Sequence, residues 1–413
     1  MNSRPAVLIT GLPWIRSGTG KVMQAQIAYF RSLGWTTIFV ACPFKRTDAY
    51  SRKIWKRFDE EKVDLNADFT EIASFRRRVS KPNIVRKLRG RWRGQNAMHW
   101  ALEPGHATNL PQSLQTLVRS RELDIRFILA NHIYTLPVAQ KLRARLPTAV
   151  PTAVVTHDIQ SHVLLDNSEV NPFTRQSDTI EVLLETELQA LAGADYVVHV
   201  SQDDEQFFRD RLPSVPHKLV LPTIESFEEN ERRAGEPFSD FILVGARHIA
   251  NYHAVKWLLD DVWPLIDQGR TLRIVGSVKD VVERRNPELY ARFEDFFTGS
   301  VPDVSHCYRG SRCVLAPMVT GRGVSIKTIE ACAFGLPMVG TSYAYRGLPM
   351  EDVKAAGLSA YDEPKAFAEA ALSALEDPAP FQEASKRLYR ALFSSQAFQK
   401  SMGEMLSDLR LAQ

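Results

Sequence analysis

Cysteine is scarce in this sequence of 413 residues, and long apolar runs are absent. The four cysteines form no CxxC pair, which favours buried free thiols over a metal or redox site. The ten histidines show no zinc-like spacing. No stretch approaches the roughly 18 to 20 apolar residues that span a bilayer, and the N-terminus lacks the apolar core of a signal peptide. We therefore expect a cytoplasmic protein without a bound metal.

Acidic residues are missing from one segment, Arg76 to Arg93, which holds nine Lys or Arg residues although the whole chain is only +4. Most such runs are solvated surface, which remains the alternative. Apolar residues such as Leu88 and Trp92 recur here at near-helical spacing, as in helices that lie on anionic membranes. The segment predicts reversible contact with a membrane or a lipid-linked acceptor through Arg76, Arg77, Arg78, Arg86, Arg89 and Trp92. No nucleic-acid motif accompanies it.

Short β-branched runs alternate with amphipathic helical stretches, a pattern typical of parallel sheets covered by helices. A charged stretch, Glu225 to Pro237, separates two such sets and predicts a linker. The fold class is therefore α/β, with two Rossmann-like doubly wound domains at residues 1–224 and 238–380 and a final helical segment at 381–413. The predicted strands are Ala6–Thr10, Thr36–Ala41, Ile125–Ala130, Ala153–Thr156, Tyr196–Val200, Phe241–Val244, Leu272–Val275, Phe296–Thr298, Cys313–Ala316 and Met338–Val339. The predicted helices include Lys21–Leu33, Thr179–Leu191, Tyr252–Ile266, Pro364–Leu375 and Phe381–Leu411.

The segment Gly321 to Thr341 predicts a glycine loop, a helix, a Gly-Pro break and a buried strand. Lys327 and Glu330 are spaced to lie one turn apart on one face of that helix. Glycines allow close approach to phosphates, and the helix N-terminus and the lysine supply positive charge. The carboxylate of Glu330 could accept hydrogen bonds from ribose hydroxyls, so the segment favours a nucleoside diphosphate site.

Three further places carry candidate residues. Gly18-Thr19-Gly20-Lys21 follows the first strand but lacks the spacing of a Walker loop or a dinucleotide fingerprint, so a tight structural turn is the alternative. Arg247 follows a strand and can pair with phosphate, or form a surface salt bridge. His157 ends a strand, where a functional and a structural histidine both remain open.

The Gly321 to Thr341 segment resembles the donor-sugar signature of the GT-B glycosyltransferases of family 4, also called glycosyl transferases group 1. In that family two glutamates lie eight positions apart, and the second aligns with Glu330 while Arg322 occupies the place of the first. The resemblance implies two domains facing a central cleft, with the terminal helix returning to the first domain. It also implies catalytic roles for His157, Arg247 and Lys327, and a donor-binding set of Gly18, Gly20, Arg247, Gly323, Val324, Ser325, Lys327 and Glu330.

The reaction implied by the resemblance passes a sugar from a UDP- or GDP-sugar to a hydroxyl acceptor with retention, in bacterial cell-surface polysaccharide or glycolipid synthesis. The acceptor would be lipid-linked or a polysaccharide, and the enzyme peripheral on the inner membrane. No Asp-x-Asp triplet occurs, so no obligatory metal or other cofactor is expected. The family's usual lysine after Arg247 is absent, with Asn251 and Tyr252 in that region. The alternatives are a nucleotide-sugar epimerase and a catalytically silent scaffold of the same fold.

Overall fold

The computed structural model describes residues 4–15, 17–42, 48–75, 96–106, 108–119, 123–166, 179–225, 239–266 and 269–411. Two compact units divide the chain. The first comprises Met1–Pro222 together with Gln399–Gln413, and the second comprises Thr223–Phe398. The predicted α/β class with two parallel sheets is confirmed.

The sheet of the first unit is parallel, with the strand order β3-β2-β1-β6-β7-β8-β9. Its central strands are buried on both faces, which explains their continuous apolar sequences. A separate antiparallel pair, β4 with β5, lies outside this sheet. The strands are β1 (Arg4–Gly11), β2 (Thr36–Ala41), β3 (Phe69–Ile72), β4 (Ser74–Phe75), β5 (Thr108–Asn109), β6 (Leu123–Asn131), β7 (Thr152–Thr156), β8 (Tyr196–His199) and β9 (His217–Leu219).

Helices of the first unit cover this sheet and bury apolar stripes against it. The first helix begins after Ser17, whose Oγ accepts a hydrogen bond from the Gly20 amide, and it buries Val22, Ile27 and Phe30. The helices are α1 (Gly18–Ser32), α2 (Asp48–Glu61), α3 (Ala97–His106), α4 (Gln112–Arg119), α5 (Leu136–Arg143), α6 (Gln160–Asp166), α7 (Ile180–Leu191) and α8 (Gln202–Arg211).

The second unit has a smaller parallel sheet with the order β12-β11-β10-β13-β14. The strands are β10 (Ser239–Val244), β11 (Leu272–Val275), β12 (Phe297–Gly299), β13 (Ser311–Ala316) and β14 (Met338–Gly340). The helices are α9 (Ile249–Trp257), α10 (Val278–Arg285), α11 (Pro287–Arg292), α12 (Ser305–Arg309), α13 (Ile326–Ala333), α14 (Met350–Ala356), α15 (Pro364–Glu376) and α16 (Pro378–Leu388). A last helix, α17 (Ser395–Asp408), begins in this unit and ends in the first.

Two predicted helices are wrong in their extent. The predicted helix Tyr252–Ile266 is α-helical only to Trp257, and it continues as a π-helical turn and a 3₁₀ turn that contains Pro264. Proline lacks the amide hydrogen that a regular helix needs at this place. The predicted helix Phe381–Leu411 is interrupted at Ser394, whose backbone is extended and whose Oγ accepts a hydrogen bond from the Ala397 amide to cap α17.

The ten predicted strands are all present, with ends that agree to within about two residues. Strands β3, β4, β5 and β9 were not predicted, because they are short and partly exposed.

Candidate functional site

A loop between β13 and α13 carries the predicted donor residues of the second unit. Gly321 and Gly323 have φ angles of 149° and 60°, a region that side-chain-bearing residues rarely adopt. These glycines turn the chain into the start of α13. Val324 is partly buried in the same loop. The predicted loop-to-helix geometry is therefore present.

Ser325 precedes α13 in the N-cap position but makes no capping hydrogen bond through its side chain. The residue is 2% exposed, and its Oγ has no hydrogen-bond partner among the described residues. Amide groups of the first turn of a helix have no partner within that helix. A buried hydroxyl thus lies beside the positive end of a helix, which is the chemistry that binds an anion.

Lys327 stands in the first turn of α13, and its Nζ donates a hydrogen bond to Asn251 Oδ1 at 2.7 Å. Asn251 Nδ2 in turn donates to the Ala246 carbonyl at 2.8 Å, so the lysine is tied to the loop after β10. Burial and the positive charge of Arg346 lower the pKa of Lys327 to about 8, against a smaller opposing effect of Glu330. Lys327 Nζ is thus hydrogen-bonded to Asn251, in the region where the family's usual lysine after Arg247 is absent.

Glu330 is buried one turn further along α13. Its Oε2 accepts a hydrogen bond at 3.0 Å from the hydroxyl of Tyr308, a fully buried side chain that stacks on Phe334. The packed tyrosine fixes the orientation of this carboxylate. Sequence reasoning did not identify Tyr308, because its contact with Glu330 joins two elements that are 22 residues apart.

Arg247 lies three residues beyond the end of β10. Its amide donates a hydrogen bond to Ser277 Oγ at 2.9 Å, and its exposed guanidinium forms an ion pair with Asp280 of α10. The surface salt bridge that the sequence left as an alternative is thus present. A role for Arg247 in binding phosphate remains a prediction.

Arg346 is a cation of this region that sequence reasoning missed. Its guanidinium lies against Gly321, where an added Cβ would come within 2.9 Å of the arginine Cζ. Its Nε donates to the Arg322 carbonyl at 3.3 Å and its Nη1 to the Tyr343 carbonyl at 2.6 Å. No sequence motif marks this arginine, since the loop that it contacts is 25 residues earlier in the chain.

In the first unit, Gly20 has a packing role. A Cβ at this position would lie 1.7 Å from the Ile15 carbonyl oxygen, so only glycine permits the close contact between α1 and the preceding loop. Gly18 is the first residue of α1 and is partly exposed. A glycine at position 20 is therefore required for packing. Contact of Gly18 or Gly20 with a donor remains a prediction.

His157 follows β7, and its Nε2 is buried with no hydrogen-bond partner among the described residues. Burial lowers its pKa to about 4, so the ring is neutral near pH 7. The ring stacks on His132 at a centroid distance of 5.8 Å, and His132 stacks on Tyr134 at 4.4 Å. His157 could therefore donate or accept a hydrogen bond without carrying charge.

His132 was missed by sequence reasoning. It follows β6 with a φ of 87°, which is uncommon for a residue other than glycine, and its buried Nδ1 has no partner in the described part of the chain. Burial and His157 lower its pKa well below the usual range. Strained residues of this kind cluster at functional sites, which makes His132 a candidate beside His157.

Glu187 of α7 supports the loop that carries His157. Its two carboxylate oxygens accept hydrogen bonds from the amides of Gln160 and Ser161, each at 2.8 Å. Burial raises the pKa of Glu187 to about 7, with the negative charge of Asp158 adding to the effect and the hydrogen bonds opposing it. The carboxylate caps the start of α6 and holds the chain that follows His157.

The predicted site residues are divided between the two units and a segment outside the described residues. Gly18, Gly20 and His157 belong to the first unit, whereas Arg247, Lys327 and Glu330 belong to the second. Residues 76–93, with the predicted membrane contacts Arg76, Arg77, Arg78, Arg86, Arg89 and Trp92, lie outside the described residues.

Across the described ranges, His, Cys, Asp and Glu side chains form no group of three or more that could hold a metal. None of the described helices is both long enough and apolar enough to span a bilayer.

Comparison with known proteins identifies the second unit. Residues 239–377 match the family model described as Glycosyl transferases group 1. This match confirms the resemblance predicted from Gly321 to Thr341 and the enzyme class, glycosyltransferase. A search of curated proteins finds no significant match.

Solved structures show that the whole chain has the GT-B fold. HepE of Anabaena is 13% identical, with a TM-score of 0.62 over 98% of this chain and 100% of that chain. Sucrose-phosphate synthase of Thermosynechococcus elongatus is 15% identical, with a TM-score of 0.61 over 98% and 99%. TarM of S. aureus is 8% identical, with a TM-score of 0.60 over 97% and 99%.

Proposed function

We propose that this protein, whose residues 239–377 match glycosyl transferases group 1 and whose chain has the GT-B fold, transfers a glycosyl group from a nucleoside diphosphate sugar to a hydroxyl acceptor. The observation that carries the proposal is the start of α13. There, the Ser325 hydroxyl, which is buried and has no hydrogen-bond partner among the described residues, lies with the Lys327 ammonium and the helix N-terminus behind a glycine loop.

In this proposal the second unit holds the donor. Lys327 and the amides of the first turn of α13 bind the diphosphate and stabilise the negative charge that develops as it leaves. The carboxylate of Glu330 accepts hydrogen bonds from the ribose hydroxyls. The hydrogen bond from Tyr308 orients the Glu330 carboxylate. Arg247 would leave Asp280 to contact the same diphosphate.

UDP is the nucleotide that we propose first. The HepE structures are described in complex with UDP and with UDP-glucose, and the TarM structure is described in complex with UDP. A GDP-sugar is the second choice. The neutral ring of His157 would contact the donor sugar, and the transfer would retain the anomeric configuration. We further propose a lipid-linked or polysaccharide acceptor of the bacterial cell surface, with the basic segment 76–93 resting on the membrane.

A transfer assay tests the proposed reaction. The protein is incubated with a panel of UDP- and GDP-sugars, with and without hydroxyl-bearing acceptors, and free UDP or GDP and glycosylated product are measured. Release of nucleotide that depends on the acceptor, together with a glycosylated product, is the expected result. Conversion of one nucleotide sugar into its epimer would favour the epimerase. Binding of no nucleotide at all would favour the silent scaffold.

A further inference from the structure

We infer that Thr156, His199 and His217 form a hydrogen-bond chain that takes up one proton and reverses its direction, which makes the end of β7 beside His157 sensitive to pH. These residues all belong to the first unit. The chain is therefore independent of the proposed donor site in the second unit.

The chain crosses the last three strands of the first sheet. Thr156 ends β7 and pairs in register with His199 of β8, and Thr156 Oγ1 lies 2.7 Å from His199 Nδ1. His199 Nε2 lies 2.8 Å from Nδ1 of His217, which begins the edge strand β9. His217 Nε2 lies 2.9 Å from the Leu212 carbonyl oxygen. Three consecutive hydrogen bonds thus use all four ring nitrogens.

The Leu212 carbonyl fixes the direction of the chain when both rings are neutral. A carbonyl oxygen only accepts, so Nε2 of His217 carries the proton and Nδ1 of that ring is an acceptor. His199 then donates from Nε2 to His217, and its own Nδ1 accepts from the Thr156 hydroxyl. In this neutral pattern both histidines are the Nε2–H tautomer, and every bond points towards Leu212.

A second complete pattern exists when His217 carries a proton on each ring nitrogen. Nδ1 of His217 then donates to Nε2 of His199, so the proton of His199 must move to Nδ1. That Nδ1–H donates to Thr156, whose hydroxyl donates in turn to the Val198 carbonyl oxygen at 3.4 Å. One proton is gained from water, the two bonds of His199 reverse, and the bond to Leu212 stays as it was. No hydrogen bond of the chain is lost.

Burial decides which ring holds the added proton. His199 is fully buried and stacks on Phe208 of α8 at a centroid distance of 5.6 Å. Burial, with the charges of His217 and Arg209 adding to it, lowers the pKa of His199 to about 3. His217 is only partly buried, so it can exchange protons with solvent. The proton therefore enters at His217, and His199 responds by changing tautomer.

Two ion pairs flank His217. Arg209 of α8 directs Nη2 at the His217 carbonyl oxygen at 3.5 Å, and its guanidinium also pairs with Glu205. Lys218, the next residue of β9, pairs with Glu404 of α17. Because a carboxylate accompanies each cation, the repulsion that these cations exert on a further positive charge at His217 is offset.

Nitrogen NMR of the protein labelled with ¹⁵N-histidine tests the reversal, since a ring nitrogen that carries hydrogen differs in chemical shift from one that does not. Spectra are recorded from about pH 8 to about pH 5, which brackets the ordinary titration of histidine. We expect His217 to become doubly protonated while His199 changes from the Nε2–H to the Nδ1–H tautomer at the same midpoint. His199→Gln and His217→Gln assign the two sets of signals.

Replacement of Thr156 tests the far end of the chain. Thr156→Val removes the hydroxyl and leaves the Nδ1–H of His199 without its acceptor in the protonated pattern. Hydrogen bonds that share a positive charge are about twice as strong as neutral ones, so the midpoint should move to lower pH by about half a unit or more. Thr156→Ser is the matched control, because it keeps the hydroxyl and should keep the midpoint.

The signals of His157 report whether the switch reaches the end of β7. Burial lowers the pKa of His157 to about 4 and that of its neighbour His132 well below the usual range, so neither ring titrates above about pH 5. Glu187, which does titrate near this loop, is replaced in a Glu187→Gln background. In that background the His157 signals should shift with the midpoint of His199.

Three results would overturn the inference. The first is a His199 that keeps the Nε2–H tautomer while His217 gains its proton, and the second is a His217 that gains no proton down to about pH 5. The third is a His157 whose signals stay in place while His199 changes tautomer. Equal midpoints in Thr156→Val and Thr156→Ser would also contradict it. The spectra of the unaltered protein decide by themselves if Thr156→Val fails to fold.

Discussion

A single helical turn separates Lys327 and Glu330, to which we assign different roles in binding the donor. Lys327, in the first turn of α13, is partly buried and held by Asn251, whereas Glu330 is buried and held by Tyr308. Each side chain is thus fixed before any ligand arrives, which lowers the ordering cost of binding. Replacing Lys327 and replacing Glu330 should therefore weaken ligand binding in different ways.

Lys327→Ala and Glu330→Ala should each weaken nucleotide binding. Loss of Lys327 removes a charge contact to phosphate, so the dissociation constants for UDP and for pyrophosphate should both rise about tenfold to a hundredfold. Loss of Glu330 removes only the ribose contact, so UDP should bind about tenfold more weakly while pyrophosphate binds as before. Calorimetry on both variants measures this.

Lys365→Ala serves as the control, because Lys365 is exposed on α15 and contacts only Glu369 at 3.9 Å among the ion pairs of the described residues. Its affinities should match those of the unaltered protein. Unchanged UDP affinity in both Lys327→Ala and Glu330→Ala would remove the donor-site assignment.

Sequence reasoning predicted those residues of the candidate site that lie within one short motif. Gly323, Ser325, Lys327 and Glu330 are neighbours along the chain, so helical periodicity alone places them together. Arg346, Tyr308 and His132 could not be found in this way. Arg346 and Tyr308 act through contacts made by distant parts of the chain, and His132 is marked by a backbone angle that no residue pattern encodes.

At the scale of elements, buried parallel strands were predicted well because both faces of such strands are apolar. Helix ends were predicted less well, since a pattern of apolar residues continues through the π-helical turn at Leu258–Val262 and through Ser394. The interruption at Ser394 depends on one extended residue and one capping bond, neither of which disturbs the periodicity. Local backbone geometry therefore decided where these helices end.

The cap of α6 by Glu187 predicts a pH dependence of stability. The pKa of Glu187 is raised in the folded protein to about 7, from an ordinary value of 4.5. The folded state therefore binds more protons than the unfolded state between these values, and the contribution of Glu187 to the free energy of unfolding falls as pH rises through this window. Glu187→Gln cannot ionise and lacks this dependence.

Urea denaturation of both proteins at pH 5 and pH 7.5 checks this expectation. The free energy of unfolding of the unaltered protein, relative to that of Glu187→Gln, should fall by about 2 kcal/mol between the two pH values. Taking this difference cancels the titration of groups that do not interact with Glu187. A difference that stays constant or increases with pH would show that Glu187 is ionised throughout this range.

At the scale of the whole molecule, positive charge is concentrated in the segment 76–93 of a chain that is otherwise net negative. We propose that this segment binds anionic membranes, so Arg76→Gln/Arg77→Gln/Arg78→Gln should weaken binding to vesicles of phosphatidylglycerol and phosphatidylcholine. At roughly 1 kcal/mol for each basic residue, three replacements should lower the partition constant about a hundredfold. Vesicle sedimentation measures this constant.

A control with the same change in charge is Arg284→Gln/Arg285→Gln/Arg390→Gln, which alters exposed arginines of the second unit. It should bind vesicles as the unaltered protein does, and both variants should keep their affinity for UDP. If the two triple variants bind vesicles equally, the proposal that the segment 76–93 binds membranes is wrong, and the segment is solvated surface.

A crystal structure of the protein with UDP tests the central claim most directly. The account predicts the diphosphate at the N-terminus of α13, in contact with Lys327 Nζ and Ser325 Oγ, with the ribose hydroxyls on Glu330. UDP bound elsewhere on the chain, with Ser325 and Lys327 left as they are, would contradict it.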